Sequence, residues 1–182
     1  GPMQTLVAAM LALTRLESVD TPARKEPVDM PALLDRILGE TQALSGGRHR
    51  IILTANGPNL VASMDELRSA FGNLASNAVR YTPEGGTIEL VWRDTPAGPQ
   101  FQVKDTGIGI SAEHLPRLTE RFYRIDKSRS RETQGTGLGL AIVKHVLLRH
   151  GGALRIASEP GKGSVFTAQF PASAAERGES AA

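Results

Sequence analysis

Asn73 and Asn77 stand four residues apart, with Arg80 and Tyr81 one turn further on. At helical spacing their side chains share one face. Asparagine is a poor helix-interior residue, costing roughly 0.5 kcal/mol against alanine. Two of them in register with an arginine, on a stretch otherwise packed with Leu and Ala, need a reason. Solvation of a surface face is one. The other is a polar face turned toward phosphate groups. Amide oxygens are neutral hard ligands, Mg²⁺ bound together with substrate phosphates takes few protein oxygens, and a guanidinium meets phosphate with a planar fork.

Asp105-Thr106-Gly107-Ile108-Gly109 follows a run that alternates like a strand. A carboxylate at a strand end accepts a hydrogen bond from an exocyclic amine such as that of adenine, and the glycines let a flat base approach the backbone. An ordinary Asp-Gly turn is the competing reading. Gly107, Gly109 and Ala112 also satisfy G-x-G-x-x-A, but a dinucleotide fold needs a βαβ unit and an acidic residue at a strand end about 20 residues on. The surroundings of Asp126 read as basic loop instead. Gly135-Thr136-Gly137-Leu138-Gly139-Leu140 opens the most apolar helical stretch. Bare backbone before a helix N-terminus offers N–H groups and a positive dipole end to an anion; a hinge before a core helix is the alternative. No Gly-Lys-Ser/Thr follows, so it is not a Walker A loop. Between the two glycine motifs runs an arginine-rich segment, 117–131, containing Phe122, Tyr123 and Arg124. It reads as a lid with an apolar anchor and arginines for outer phosphates, or else as a solvated basic loop.

The elements that must carry these groups follow from periodicity. Residues 4–18 predict a helix with Leu6, Val7, Met10, Leu13 and Leu16 on a stripe that packs on its own domain or on a partner. Pro22, Pro27 and Pro31 punctuate a linker, and a boundary falls near residue 22. Helices are expected over 31–44, 63–81 and 140–149, the second opened by Ser63 with Glu66 in a capping box, the third ended by Gly151-Gly152. Strands are expected over 51–55, 87–93, 101–104, 153–158 and 164–170, the last two as a hairpin. This order predicts an α+β fold, a two-layer sandwich with helices on one face of a mixed, mostly antiparallel sheet. Residues 172–182 are expected to form a disordered tail. Gly1-Pro2-Met3 resembles a protease-cleavage scar and is set aside.

Composition narrows the options further. With 182 residues, 40% hydrophobic and no cysteine, the chain suits one domain plus a small appendage and excludes a disulfide framework, a thiolate nucleophile and cysteine-ligated zinc. A net charge of +2 and 4% aromatics give no case for nucleic-acid binding. No apolar run approaches the ~18–20 residues of a membrane span.

Asn-x-x-x-Asn, Asp-x-Gly-x-Gly, a Phe-Tyr lid and Gly-x-Gly-x-Gly, in that order, resemble the N, G1, F and G2 boxes of sensor histidine kinases, over about residues 27–170. Their catalytic domain shares its fold with gyrase, Hsp90 and MutL. Segments 115–131 and 139–145 are most similar to the phosphate-regulon branch. The resemblance implies ATP or ADP with Mg²⁺ as ligands. It implies Asn77 on the metal with Asn73 assisting, Arg80 on phosphate, and Tyr81 beside the adenine. Asp105 takes the adenine amino group; Gly107, Gly109 and Ile110 shape the base pocket. Phe122, Tyr123 and Arg124 match the lid box, Arg124 reaching the γ-phosphate. Gly135, Thr136, Gly137, Leu138, Gly139 and Leu140 match the phosphate-facing helix start.

Gyrase-type relatives carry glutamate where Asn73 stands, and an amide cannot act as the general base for water. Slow hydrolysis and phosphoryl transfer to a protein nucleophile are therefore expected. Family members supply that nucleophile as a histidine followed by an acidic residue on a dimerising hairpin. None of His49, His114, His145 and His150 precedes Asp or Glu, and the latter two read as helix-surface or helix-end residues. The resemblance thus implies 4–21 as the end of the hairpin's second helix plus linker, 22–171 as the ATP-binding domain, and a phospho-accepting histidine outside this sequence. It further implies a PhoB-like response regulator as partner, and a parent on the cytoplasmic side of a bacterial inner membrane. The alternatives are an ATPase of the gyrase or chaperone class and a nucleotide-sensing module without transfer activity.

Overall fold

The computed structural model describes residues 24–110, 113–115, 120 and 138–176, together with positions 7, 10, 11 and 14. Those four isolated positions are helical, and Val7, Met10 and Leu11 are exposed. Phe122, Tyr123, Arg124, Gly135, Thr136 and Gly137, all singled out in the sequence, lie outside the described residues.

Helix α1 (Met30–Ser45) starts where Asp29 accepts the Ala32 N–H and Pro31 occupies the first turn. It stops at Gly46, whose φ of 60° lets its N–H reach back to Gln42 O. Helix α2 (Met64–Tyr81) is capped by Ser63, which accepts from Glu66 N. It buries Leu67, Ala70, Phe71, Leu74, Ala75, Ala78 and Val79. That stripe leaves the opposite face for Asn73, Ser76, Asn77 and Arg80, all half-buried. Helix α3 (Gly139–Arg149) buries Ala141, Ile142, Val143, Val146 and Leu147, and Gly151 at φ 73° turns the chain back.

The main sheet holds β2 (Arg50–Ala55), β4 (Thr87–Arg93), β5 (Gln100–Asp105), β6 (Ala153–Glu159) and β7 (Gly163–Gln169) in the order β2-β4-β5-β7-β6. Only β2 and β4 run parallel, and the crossover such a pair needs is supplied by α2. Asp105 is therefore the last residue of a central strand, opposite Ile88 on one side and Ser164 on the other. The three helices and the sheet share one core. Phe71 stacks on Phe101 with ring centres 4.1 Å apart, and Trp92 and Phe170 close around the pair. The fold is α+β with a mixed, mostly antiparallel sheet, as expected.

Three features depart from the sequence reading. The proline-punctuated segment 22–31 contains a short strand, β1 (Glu26–Val28), which pairs antiparallel with β3 (Leu60–Ala62). Three-residue strands are too short to show alternation, and Pro27 is tolerated because this sheet is all edge. The chain also stays in the fold beyond residue 171. A 3₁₀ turn, Ala172–Ala174, is followed by a bridge between Leu60 and Ala175 and a hydrogen bond from Glu176 N to Asn59 O. Finally, His150 ends α3, in line with one of the two readings, but it is buried rather than on the surface, at 4% exposed.

Candidate nucleotide-binding site

Helix α2 borders two backbone segments, one at each end of its polar face. In its middle, Asn73 donates through Nδ2 to Ser69 O at 2.7 Å, which fixes the amide so that Oδ1 turns toward the start of α3. A Cβ added to Gly139 would lie 2.8 Å from that oxygen, so glycine there permits the close approach. Leu138 and the first turn of α3 carry no side-chain cap; Leu138 itself is fully buried, while Gly139 and Leu140 are half-buried. One turn along α2, Asn77 makes no side-chain hydrogen bond to another described residue. Arg80 donates to Ser76 Oγ at 3.3 Å, and Ser76 donates to Asn73 O at 3.2 Å. The serine thus ties the guanidinium to the asparagine turn. Nothing in the composition of the stretch singled Ser76 out, although its spacing from Asn73 and Arg80 contains the signal.

At its C-terminal end α2 meets the loop after β5. Ile108 N donates to Tyr81 O, and a Cβ on Gly107 would lie 2.5 Å from that carbonyl and 2.8 Å from Asp105 Oδ1. Asp105 Oδ1 accepts from Gly107 N at 2.9 Å. Burial pushes the Asp105 carboxyl above its ordinary range, against the pull of the Gly107 and Ser164 backbone N–H groups. Gly109 adopts φ 74° with a Cβ direction blocked by Glu159 O at 2.1 Å. The far side of the loop is pinned to the β6–β7 hairpin. Gly161 N donates to Ile108 O at 2.8 Å, and Ile110 N donates to Ser158 Oγ at 2.7 Å. Ser158 in turn donates to Gly163 O and shares a 2.7 Å hydrogen bond with Ser164 Oγ.

Two further residues escaped the sequence reading. Thr82 is buried, and its hydroxyl has no hydrogen-bond partner. Its carbonyl accepts from His49 Nε2 at 2.6 Å, while His49 Nδ1 accepts from Ser45 Oγ at 2.9 Å. His49 is thereby a tie between the ends of α1 and α2. Asn73, Asn77, Arg80, Tyr81, Asp105, Gly107, Gly109, Ile110, Leu138, Gly139 and Leu140 all lie on α2 or on the two segments it borders. Among the described residues no group of three or more His, Asp or Glu could hold a metal ion. A cation at Asn73 and Asn77 would draw most of its oxygens from phosphates.

A sheet backed by three helices, with the Asn73 amide facing a glycine-opened helix start and a half-buried carboxylate at a strand end, defines an α+β class with a candidate nucleotide cleft. Residues 62–174 match the family model described as histidine kinase-, DNA gyrase B- and HSP90-like ATPase, and the chain belongs to that family. It is 55% identical over 179 residues to the phosphate regulon sensor protein PhoR of Pseudomonas aeruginosa, covering 97% of this chain and 40% of PhoR. Full-length ShkA, crystallised with AMPPNP, superposes with a TM-score of 0.79 at 30% identity, over 95% of this chain and 37% of ShkA. The mycobacterial sensor histidine kinase MprB gives 0.69 at 30%, over 80% of this chain and 97% of that one. The chain thus spans about 40% of the curated relative it matches at 55% identity.

Proposed function

We propose that this chain is the ATP-binding catalytic domain of a two-component sensor histidine kinase of the phosphate-regulon type, and that it passes the ATP γ-phosphoryl group to a histidine on a dimerisation domain. One observation carries the reading: the group facing the start of α3 is the Asn73 amide, held by Ser69 O, not a carboxylate. An amide positions and shields charge but cannot take a proton from water at neutral pH. That favours in-line transfer to a protein nucleophile over hydrolysis.

The residues divide the work by chemistry. Asp105 accepts the adenine amino group, and Gly107 and Gly109 let the base lie against backbone, with Ile110 and Tyr81 flanking it. Asn77, with Asn73, offers neutral oxygens to Mg²⁺; the Asn77 amide is uncommitted among described residues, so the donor set fits. Bound with the phosphates, Mg²⁺ supplies charge neutralisation. Arg80, tethered by Ser76, adds a fixed positive fork on the same side. The start of α3 presents its dipole and backbone N–H groups to the phosphates. Phe122, Tyr123 and Arg124 serve as the lid, with Arg124 on the γ-phosphate, and Gly135, Thr136 and Gly137 extend the phosphate-facing backbone.

Residues 4–21 belong to the dimerising hairpin and its linker, and 22–171 to the catalytic domain. The 40% coverage of PhoR and the lack of any His-Asp or His-Glu pair support a nucleophile supplied from outside this sequence. A PhoB-like response regulator is the onward acceptor, in phosphate-starvation signalling at the cytoplasmic face of a bacterial membrane. No helix of the described residues is itself long and apolar enough to cross a membrane. The test is to mix the chain with γ-labelled ATP, Mg²⁺ and a separately produced histidine hairpin of a PhoR relative. Acid-labile label on the hairpin is expected. Release of labelled phosphate at an unlabelled hairpin would point to an ATPase, and ADP binding without either product to a sensing module.

A further inference from the structure

Helices α2 and α3 lie antiparallel, and polar groups of the two meet in two regions. One contact is Asn73 with Gly139. The other lies at the opposite end, where α3 stops and α2 begins. The His150 ring donates through Nδ1 to Val146 O at 2.7 Å. Its Nε2 is then the unprotonated nitrogen, and it accepts the Ser63 N–H at 3.1 Å. Ser63 is the cap of α2, and that N–H is the group a capping box would hand to Glu66. Glu66 is engaged elsewhere: Arg149 grips both its oxygens, at 2.8 and 3.2 Å. The Phe170 ring stands nearly perpendicular to the imidazole, with ring centres 6.4 Å apart.

We propose that His150 is a positioning residue for the nucleotide site: its neutral ring fastens the start of α2 to the end of α3, and proton uptake at Nε2 undoes the fastening and weakens nucleotide binding at the other end of the pair. The proposal rests on the nucleotide-site reading above. A charged imidazole has two donors and no acceptor, so Ser63 N–H would face another N–H in a buried place. The groups around the ring are mixed. Glu66 on α2 and the Val146 carbonyl favour the charged form, Lys25 before β1 and Arg149 on α3 oppose it, and burial outweighs them all. His150 therefore titrates below its ordinary value of 6.5. Its support is complete above about pH 6.5 and is lost as pH falls through the folded pKa. Gly139 and Asn73 approach so closely that a Cβ on Gly139 would meet the Asn73 oxygen at 2.8 Å, so a shift of one helix on the other reaches the amide that the proposed site turns toward the phosphates.

The experiment measures Mg·ADP affinity of the whole chain by calorimetry from about pH 8 down through the His150 midpoint followed by NMR, for the native protein and for His150→Gln, whose amide accepts a hydrogen bond but does not titrate. Asp105 and the nucleotide phosphates titrate in both, so the difference isolates His150. His150→Gln is expected to bind within about twofold of the native chain at pH 8, while as pH falls through the His150 midpoint the native chain loses roughly threefold to tenfold more affinity. Linkage supplies a check without any variant. If binding requires the neutral ring, ADP must lower the His150 titration midpoint followed by NMR, and the Ser63 amide must report the same midpoint. Equal midpoints with and without ADP, or parallel affinity curves for the two proteins, would overturn the proposal while leaving the nucleotide site intact. A native chain that binds no ADP at pH 8 would overturn both.

Discussion

The two segments that α2 borders are built on opposite plans. The loop from Asp105 to Ile110 is tied down along its length: Gly107 N to Asp105, Ile108 N to Tyr81 O, Gly161 N to Ile108 O, Ile110 N to Ser158. Two of its glycines stand where any Cβ would strike a carbonyl oxygen. The opposite side offers amide groups that make no side-chain hydrogen bond through these atoms to another described residue: the Asn77 amide and the Asn73 oxygen, the latter turned toward Gly139. The contrast assigns different tasks. On the proposed reading the rigid wall meets the rigid part of the ligand, the purine, with its ordering complete before the ligand arrives. The uncommitted polar groups suit a flexible, charged triphosphate whose metal completes its coordination on binding.

The rigid wall should break first. Gly109→Ala places a Cβ into Glu159 O at φ 74°; strain of about 1–3 kcal/mol is expected, read as a fall in Tm together with loss of ADP binding. Asp105→Ala should cost about 30- to 100-fold in ADP affinity, with binding of inorganic triphosphate far less affected. Asp105→Asn sharpens the point through stability. The carboxyl's folded pKa is raised by burial, so its ionisation costs the empty fold stability as pH climbs from the ordinary 3.8 to the raised value. At neutral pH the ligand-free Asn variant should therefore melt above the native protein, while binding adenine less well. On the other side, Asn77→Ala should lose about tenfold in Mg-dependent ADP affinity and nothing in the presence of EDTA. Smallest is Ser76→Ala, which removes one hydrogen bond of Arg80: about two- to fourfold weaker ATP binding is expected, with adenosine unaffected.

Much of this was legible from residue order, and what was not has physical causes. Ser63 and Glu66 marked the start of α2 because a cap is a local hydrogen bond. Asp105 fell at a strand end because Phe101–Lys104 alternates. The β1–β3 pair escaped because three residues carry no period and its partners are 34 positions apart at Pro27 and Val61. His150 escaped for a related reason. A histidine before Gly151-Gly152 reads as a helix end, and only the tertiary meeting of α2 and α3 turns it into a buried acceptor for an N–H 87 residues away. Ser76 is a small polar residue on a helix face and Thr82 one just past that helix's end, and sequence alone does not distinguish a tether or a buried hydroxyl from surface decoration.

The hydroxyl of Ser158 touches Ile110 N, Gly163 O and Ser164 Oγ at once, so the turn after β5 takes its shape from a hairpin that follows it in sequence by some fifty residues. Those anchors all fall outside positions 111–137. A chimera that exchanges that insert for the equivalent stretch of a distant relative should keep its preference for adenine over guanine, and alter only how the triphosphate end is handled.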